Sequence, residues 1–131
     1  MDDDKLLKPP HKPCGSCPYR KDVPSGIWDE EEYKKLPQYD EETPYQPFGI
    51  FMCHQKDGCI CGGWLLTHDK EHLISLRLKA HELHPSVWSY KPDTEVFSSG
   101  AEAAAHGIKD IDSPGQDAIK KIKGIMKLRG E

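Results

Sequence analysis

Phe48-Gly-Ile-Phe-Met-Cys53-His54-Gln-Lys-Asp-Gly-Cys59-Ile-Cys61-Gly-Gly-Trp64-Leu65 sets three of the chain's five cysteines, a histidine, an apolar run and a Gly-Gly pair within eighteen positions. Far upstream stands a second knot, Pro13-Cys14-Gly-Ser-Cys17-Pro18. Two cysteine-bearing loops at this spacing predict one metal site assembled from both, because zinc takes four ligands in a tetrahedron and accepts thiolate and imidazole. Cys14 and Cys17 grip an ion from one side. Cys53 and Cys61 close the other, with His54 and Cys59 as competing ligands. Zinc is the first expectation for the cofactor. An iron–sulfur cluster is the alternative, because such clusters are held by cysteines and Pro18 follows Cys17 directly.

The surrounding composition explains why a staple is needed. Of 131 residues, 36% are hydrophobic and 31% charged, and eleven prolines and eleven glycines predict much loop. A core this thin gains from a bound metal. The net charge of -4 gives the whole chain no electrostatic pull toward nucleic acid. The acidic start, Met1-Asp-Asp-Asp-Lys5, lacks the apolar run of a signal peptide, and no stretch has the length of a membrane span. The expected setting is therefore a reducing cytoplasm, without membrane attachment, where CxxC and CxC cysteines serve as metal ligands rather than disulfides.

The predicted fold is α+β, a small loop-rich single domain with a short sheet and three or four helices around the metal. Residues 1–12 are read as a flexible tail and 13–131 as the metal-binding domain. Phe48 to Cys53 is read as a strand delivering Cys53 at its tip. Trp28 to Leu36 reads as a short helix, with acids at its start, lysines at its end and Pro37 stopping it. Gly62-Gly63 is read as a turn. A helix is predicted from Asp69 to about Leu83, with Leu73, Leu76, Ala80 and Leu83 at helical spacing. A short one follows over Ala101–His106, capped by Ser98 or Ser99 and closed by Gly107. Residues 112–131 form an amphipathic C-terminal helix, opened by Ser113-Pro114.

The spaced blocks Cys14-x-x-Cys17-Pro18-Tyr19-Arg20, Phe51-x-Cys53-His54-Gln55 and Cys61-x-Gly63-Trp64-Leu65, followed by Arg77, resemble an uncharacterised family of small proteins from actinobacteria and their phages. Its pattern reads CxxCPWR, CHK and CxGWL. Tyr19 and Gln55 depart from it, and Cys59 is additional. The resemblance implies a shared metal-type core and a phage origin in a host cytoplasm, and carries no activity.

Other features have plainer readings. Cys14-Gly-Ser-Cys17 also has the spacing of a redox dithiol, but prolines flank it where a strand and helix should stand. Arg20 and Arg77 are candidates for an anion contact, against the commoner salt bridge. His68, His72, His81 and His84 cluster without the HExxH pattern of a catalytic zinc site. Lys120, Lys121, Lys123, Lys127 and Arg129 give the last helix a basic side. No Ser/His/Asp set, phosphate loop or carboxylate pair supports an enzyme. The expectation is an interaction or regulatory protein with a protein or nucleic-acid partner; the alternative is an iron–sulfur redox sensor or electron carrier.

Overall fold

The computed structural model describes residues 5–53, 55, 58–128 and 130. Among these described residues six α-helices follow in order: α1 (Glu30–Lys34), α2 (Gly62–Thr67), α3 (Ile74–Leu78), α4 (Ser86–Ser89), α5 (Gly100–Lys109) and α6 (Gln116–Leu128). Short 3-10 turns at Leu36–Asp40, Thr43–Tyr45, Lys70–His72 and Ala80–Glu82 join them. No helix among the described residues is long and apolar enough to cross a membrane.

The expected α+β class with a short sheet is wrong. Among the described residues there is no β-strand, only four single bridges: Leu7 with Leu83, Lys8 with Cys59, Arg20 with Val96, and Met52 with Ile60. Each pairing has a local reason to stop. Pro9 and Pro10 have no N–H to extend the ladder begun by Leu7 and Lys8. On the 48–53 segment, the Tyr39 hydroxyl takes the Gly49 carbonyl at 2.8 Å. Pairing survives at the end of that segment, where Cys53 N–H donates to Cys59 O at 2.8 Å and Cys61 N–H to Phe51 O at 2.9 Å. Leu7 and Lys8, within the stretch expected to be a tail, are bound through Leu7 N–H to Glu82 O and Ile60 N–H to Lys8 O.

The long helix expected from Asp69 to Leu83 is instead three short turns. Side chains from the 43–46 loop claim the backbone groups that a continuous helix would use. Thr43 Oγ1 donates to His72 O at 2.8 Å, and Ile74 N–H donates to Gln46 Oε1 at 3.0 Å. With those groups engaged, Leu73 is extended at φ -85°, ψ 112°, and the helix restarts one residue later. Periodicity placed three of the four apolar positions: Leu73, Leu76 and Leu83 are buried, while Ala80 is exposed.

α5 runs longer than predicted. Ser99 caps it, accepting from Glu102 N–H, and Gly107 lies inside it rather than ending it. The main core gathers Tyr19, Leu36, Phe51, Ile60, Trp64, Leu76 and Val87. A satellite core of Val23, Ile27, Ala118 and Ile125 seats α6.

Candidate metal centre

The first loop is a tight turn held from three sides. Cys17 N–H donates to Cys14 O at 3.1 Å, closing the turn. Arg20 Nη1 donates to Pro13 O at 3.0 Å while its other nitrogens hold Asp22. Trp28 Nε1 donates to Ser16 O at 2.9 Å. Arg20, a candidate for an anion contact, instead forms the commoner salt bridge, to Asp22, and clamps the loop. Arg77 is likewise occupied locally, donating from Nε to Glu71 O at 2.6 Å.

The second loop arrives from the Met52–Ile60 bridge. Cys61 stands immediately before α2, and Gly62-Gly63, expected as a turn, are that helix's first residues. Their lack of a side chain permits the approach. A Cβ on Gly63 would stand 2.5 Å from Cys17 Sγ and 2.6 Å from Tyr19 Cβ. One on Gly62 would collide with the Tyr90 hydroxyl. The sequence signal was present, in CxGW, but reads as a turn unless the upstream loop is known to press against it.

The sulfurs meet as two cross-loop pairs. Cys17 Sγ lies 3.7 Å from Cys61 Sγ. Cys14 is hydrogen-bonded to Cys53, which together with burial pushes its thiol well above the ordinary value. Cys17 goes the other way: the hydrogen bond from Cys61 lowers it, with backbone N–H groups of Tyr19 and Gly63 acting in the same sense. Cys61 is pushed up by burial and then by that same bond to Cys17. Each described pair therefore has a proton-holding partner, Cys14 or Cys61. The charges of Cys17 and Cys53 are felt at Cys14, so the pairs adjoin.

Backbone donors surround the sulfurs. The N–H of Ser16 favours thiolate at Cys14, and that of Trp64 does so at Cys61. This is how thiolate ligands are held and oriented. Ser16 Oγ sits 3.7 Å from Cys14 Sγ and donates to Gln55 Oε1 at 2.9 Å, tying the loops together. Among the described residues no group of three or more His, Cys, Asp or Glu is placed so that it could hold a metal ion. The arrangement is two adjacent thiol pairs, and no disulfide joins any of the five cysteines.

Cys59 is buried, with its carbonyl engaged by Cys53 N–H. His54 lies outside the described residues. His68, read as one of four clustered histidines, is buried among the rings of Tyr19, Tyr39 and Trp64, while His72 and His81 are exposed. Sequence reasoning missed Tyr90. Its hydroxyl is buried without a hydrogen-bond partner, and burial plus the charges of Cys14, Cys17, Cys53 and Cys61 push its pKa up.

The chain matches no curated protein and no solved structure. A family profile matches residues 9–127, a span that takes in both cysteine loops and nearly all of α6. The chain belongs to that family, a family of unknown function designated DUF6283.

Proposed function

We propose that this is a small zinc-binding protein in which Cys14, Cys17, Cys53 and Cys61 hold one Zn2+ in a closed, structural centre. The observation that carries the reading is the Cys17–Cys61 separation of 3.7 Å. Thiolates bound at about 2.3 Å around a tetrahedral ion stand about 3.8 Å apart, so this pair already spans one edge of the polyhedron. The backbone N–H groups aimed at the sulfurs, and the burial of Cys17 and Cys61, suit the same use. A bound ion neutralises the thiolates and fastens the 14–17 loop to the start of α2. Four protein ligands leave no place for a substrate, so the centre supports a surface rather than a reaction.

The activity proposed for that surface is interaction or regulation, with a protein or nucleic acid as partner. Lys120, Lys123 and Lys127 stand exposed on α6, beside Ile119 and Met126, each 42% exposed. A reducing cytoplasm, that of a host cell for a phage-encoded chain, is the matching location, since it keeps all five thiols free.

Elemental analysis of natively purified full chain tests the centre. One zinc per chain, lost with the fold on chelation, is the expected result. A brown protein containing iron and acid-labile sulfide would replace the zinc reading with the cluster, and a metal-free folded protein would end both.

A further inference from the structure

The CxxC spacing of Cys14 and Cys17 suggests a dithiol that oxidises within itself. The hydrogen bonds say otherwise, because each cysteine of the motif is paired across to the other loop, Cys14 with Cys53 and Cys17 with Cys61. The two pairs also differ in access. Cys17 and Cys61 are 1% and 2% exposed, whereas Cys14 and Cys53 are half-buried. A cavity of about 570 Å3 lies beside the 14–17 turn, walled by Gly15, Ser16 and Gln55 from the two loops, by Lys120 and Lys121 of α6, and by the carboxylates of Asp22 and Asp117. Lys121 Nζ stands 3.2 Å from the place a Cβ on Gly15 would take, so a positive charge rests against the 14–17 turn.

We propose that Cys14 and Cys53 are a peroxide-sensitive pair, closing reversibly into a disulfide between the loops while Cys17 and Cys61 stay reduced. The effect on metal binding rests on the zinc reading above; the pairing itself does not. The Cys53 sulfur attacks one oxygen of hydrogen peroxide as its own thiol proton is lost; the O–O bond breaks, and the hydroxide that leaves takes up that proton to become water. The resulting sulfenic acid is attacked by the Cys14 sulfur. The S–S bond forms as the S–O bond breaks, and the departing hydroxide takes the Cys14 proton. Two thiols and one peroxide give one disulfide and two waters, the sulfurs losing the two electrons that the peroxide gains. Susceptibility follows exposure, which favours this pair over the inner one. A metal held by four thiolates then loses two of its donors, and a thiol reductant restores them.

The test treats the purified full chain with one equivalent of hydrogen peroxide, blocks free thiols and maps cross-linked peptides without reduction. Metal release is followed in parallel with a coloured chelator. The Cys14–Cys53 link should form roughly tenfold faster than any link through Cys17, Cys59 or Cys61, and dithiothreitol should reverse it. The Cys59→Ser chain should behave identically, since that thiol takes no part. A first link between Cys14 and Cys17, or any first link through Cys17, Cys59 or Cys61, overturns the proposal, as does over-oxidation without a link. A Cys14–Cys53 link in protein that carries no zinc would keep the pairing and sink the zinc reading. Zinc-loaded protein whose first link lies elsewhere would do the reverse.

Discussion

Cys17 Sγ and Cys61 Sγ lie 3.7 Å apart across 44 positions of sequence, with Gly63 pressed against the first of them. The contact joins the 14–17 turn to the opening of α2, at the centre of the main core.

Losing either sulfur should therefore cost both metal and fold. Cys17→Ser and Cys61→Ser are each expected to abolish stoichiometric zinc and to destabilise by more than about 4 kcal/mol, because binding energy at such a site is folding energy. Cys59→Ser should retain one zinc and lose about 1 kcal/mol or less from a small buried side chain. Zinc content and thermal midpoints of the three purified variants check this. Equal metal loss from Cys59→Ser and Cys61→Ser would overturn the ligand assignment.

A methyl group at Gly63 reports on the same contact without removing a ligand. Inside a helix, Gly→Ala ordinarily stabilises by up to about 1 kcal/mol. Here the added carbon would stand 2.5 Å from Cys17 Sγ, so the sign reverses to a loss of about 1–3 kcal/mol. Gly107→Ala is the control. Its Cβ would drive into the Tyr33 ring between α1 and α5, far from the sulfurs in the chain. Both variants should melt earlier, but only Gly63→Ala should weaken zinc in a competition titration.

What could be read in advance follows from what each feature depends on. That the two cysteine-bearing loops meet was legible, since spacing, glycine and proline set both apart from the rest of the chain, and Cys17 and Cys61 are in contact. The existence of the helical stretches and their buried residues was legible from local pattern. The sheet was not, because whether Phe48 to Cys53 pairs depends on Tyr39 reaching the Gly49 carbonyl and on Pro9-Pro10 ending its neighbour. The broken 69–83 helix likewise turns on Thr43 and Gln46, some thirty residues upstream. The cross-loop pairing of the thiols belongs to the same class, since CxxC spacing alone suggests the wrong partners.

Asp40 shows how a distant side chain sets a helix end. Its carboxylate accepts from Gly100 N–H at 2.7 Å and Ala101 N–H at 2.8 Å, at the start of α5. Asp40→Ala should destabilise by about 1–2 kcal/mol, with Ser99 retaining part of the cap. Asp40→Asn, which keeps an acceptor oxygen, should recover about half of that loss. Chemical denaturation of the two variants at neutral pH measures the difference.

His68 supplies a pH dependence. Burial lowers its pKa below the ordinary histidine value, with Asp40, 3.8 Å from Nδ1, partly opposing the shift. A histidine held neutral in the fold binds its proton more readily unfolded, so stability is full above the unfolded pKa of about 6.5 and is lost as pH falls toward the lower folded value. His68→Phe removes this titration and also an imidazole Nε2 that is buried without a partner. The variant should match or exceed the parent at pH 5.5 and lose its advantage by pH 7.5. Acid loss of metal affects both chains and cancels in the difference, so parallel melting curves that never diverge would refute the assignment.

Proton release on metal binding follows from the thiol pairs. Cys14 and Cys61 are the members held protonated, the first by its bond to Cys53 and the second by burial. A zinc ion binding thiolate must displace both protons, so titration near neutral pH should release at least about two protons per ion. Calorimetry in buffers of differing ionisation enthalpy counts them. The sign for affinity is fixed by the same exchange: zinc should bind more tightly as pH rises, by about a hundredfold per unit where two protons leave. A release near zero would mean that no thiol is a ligand.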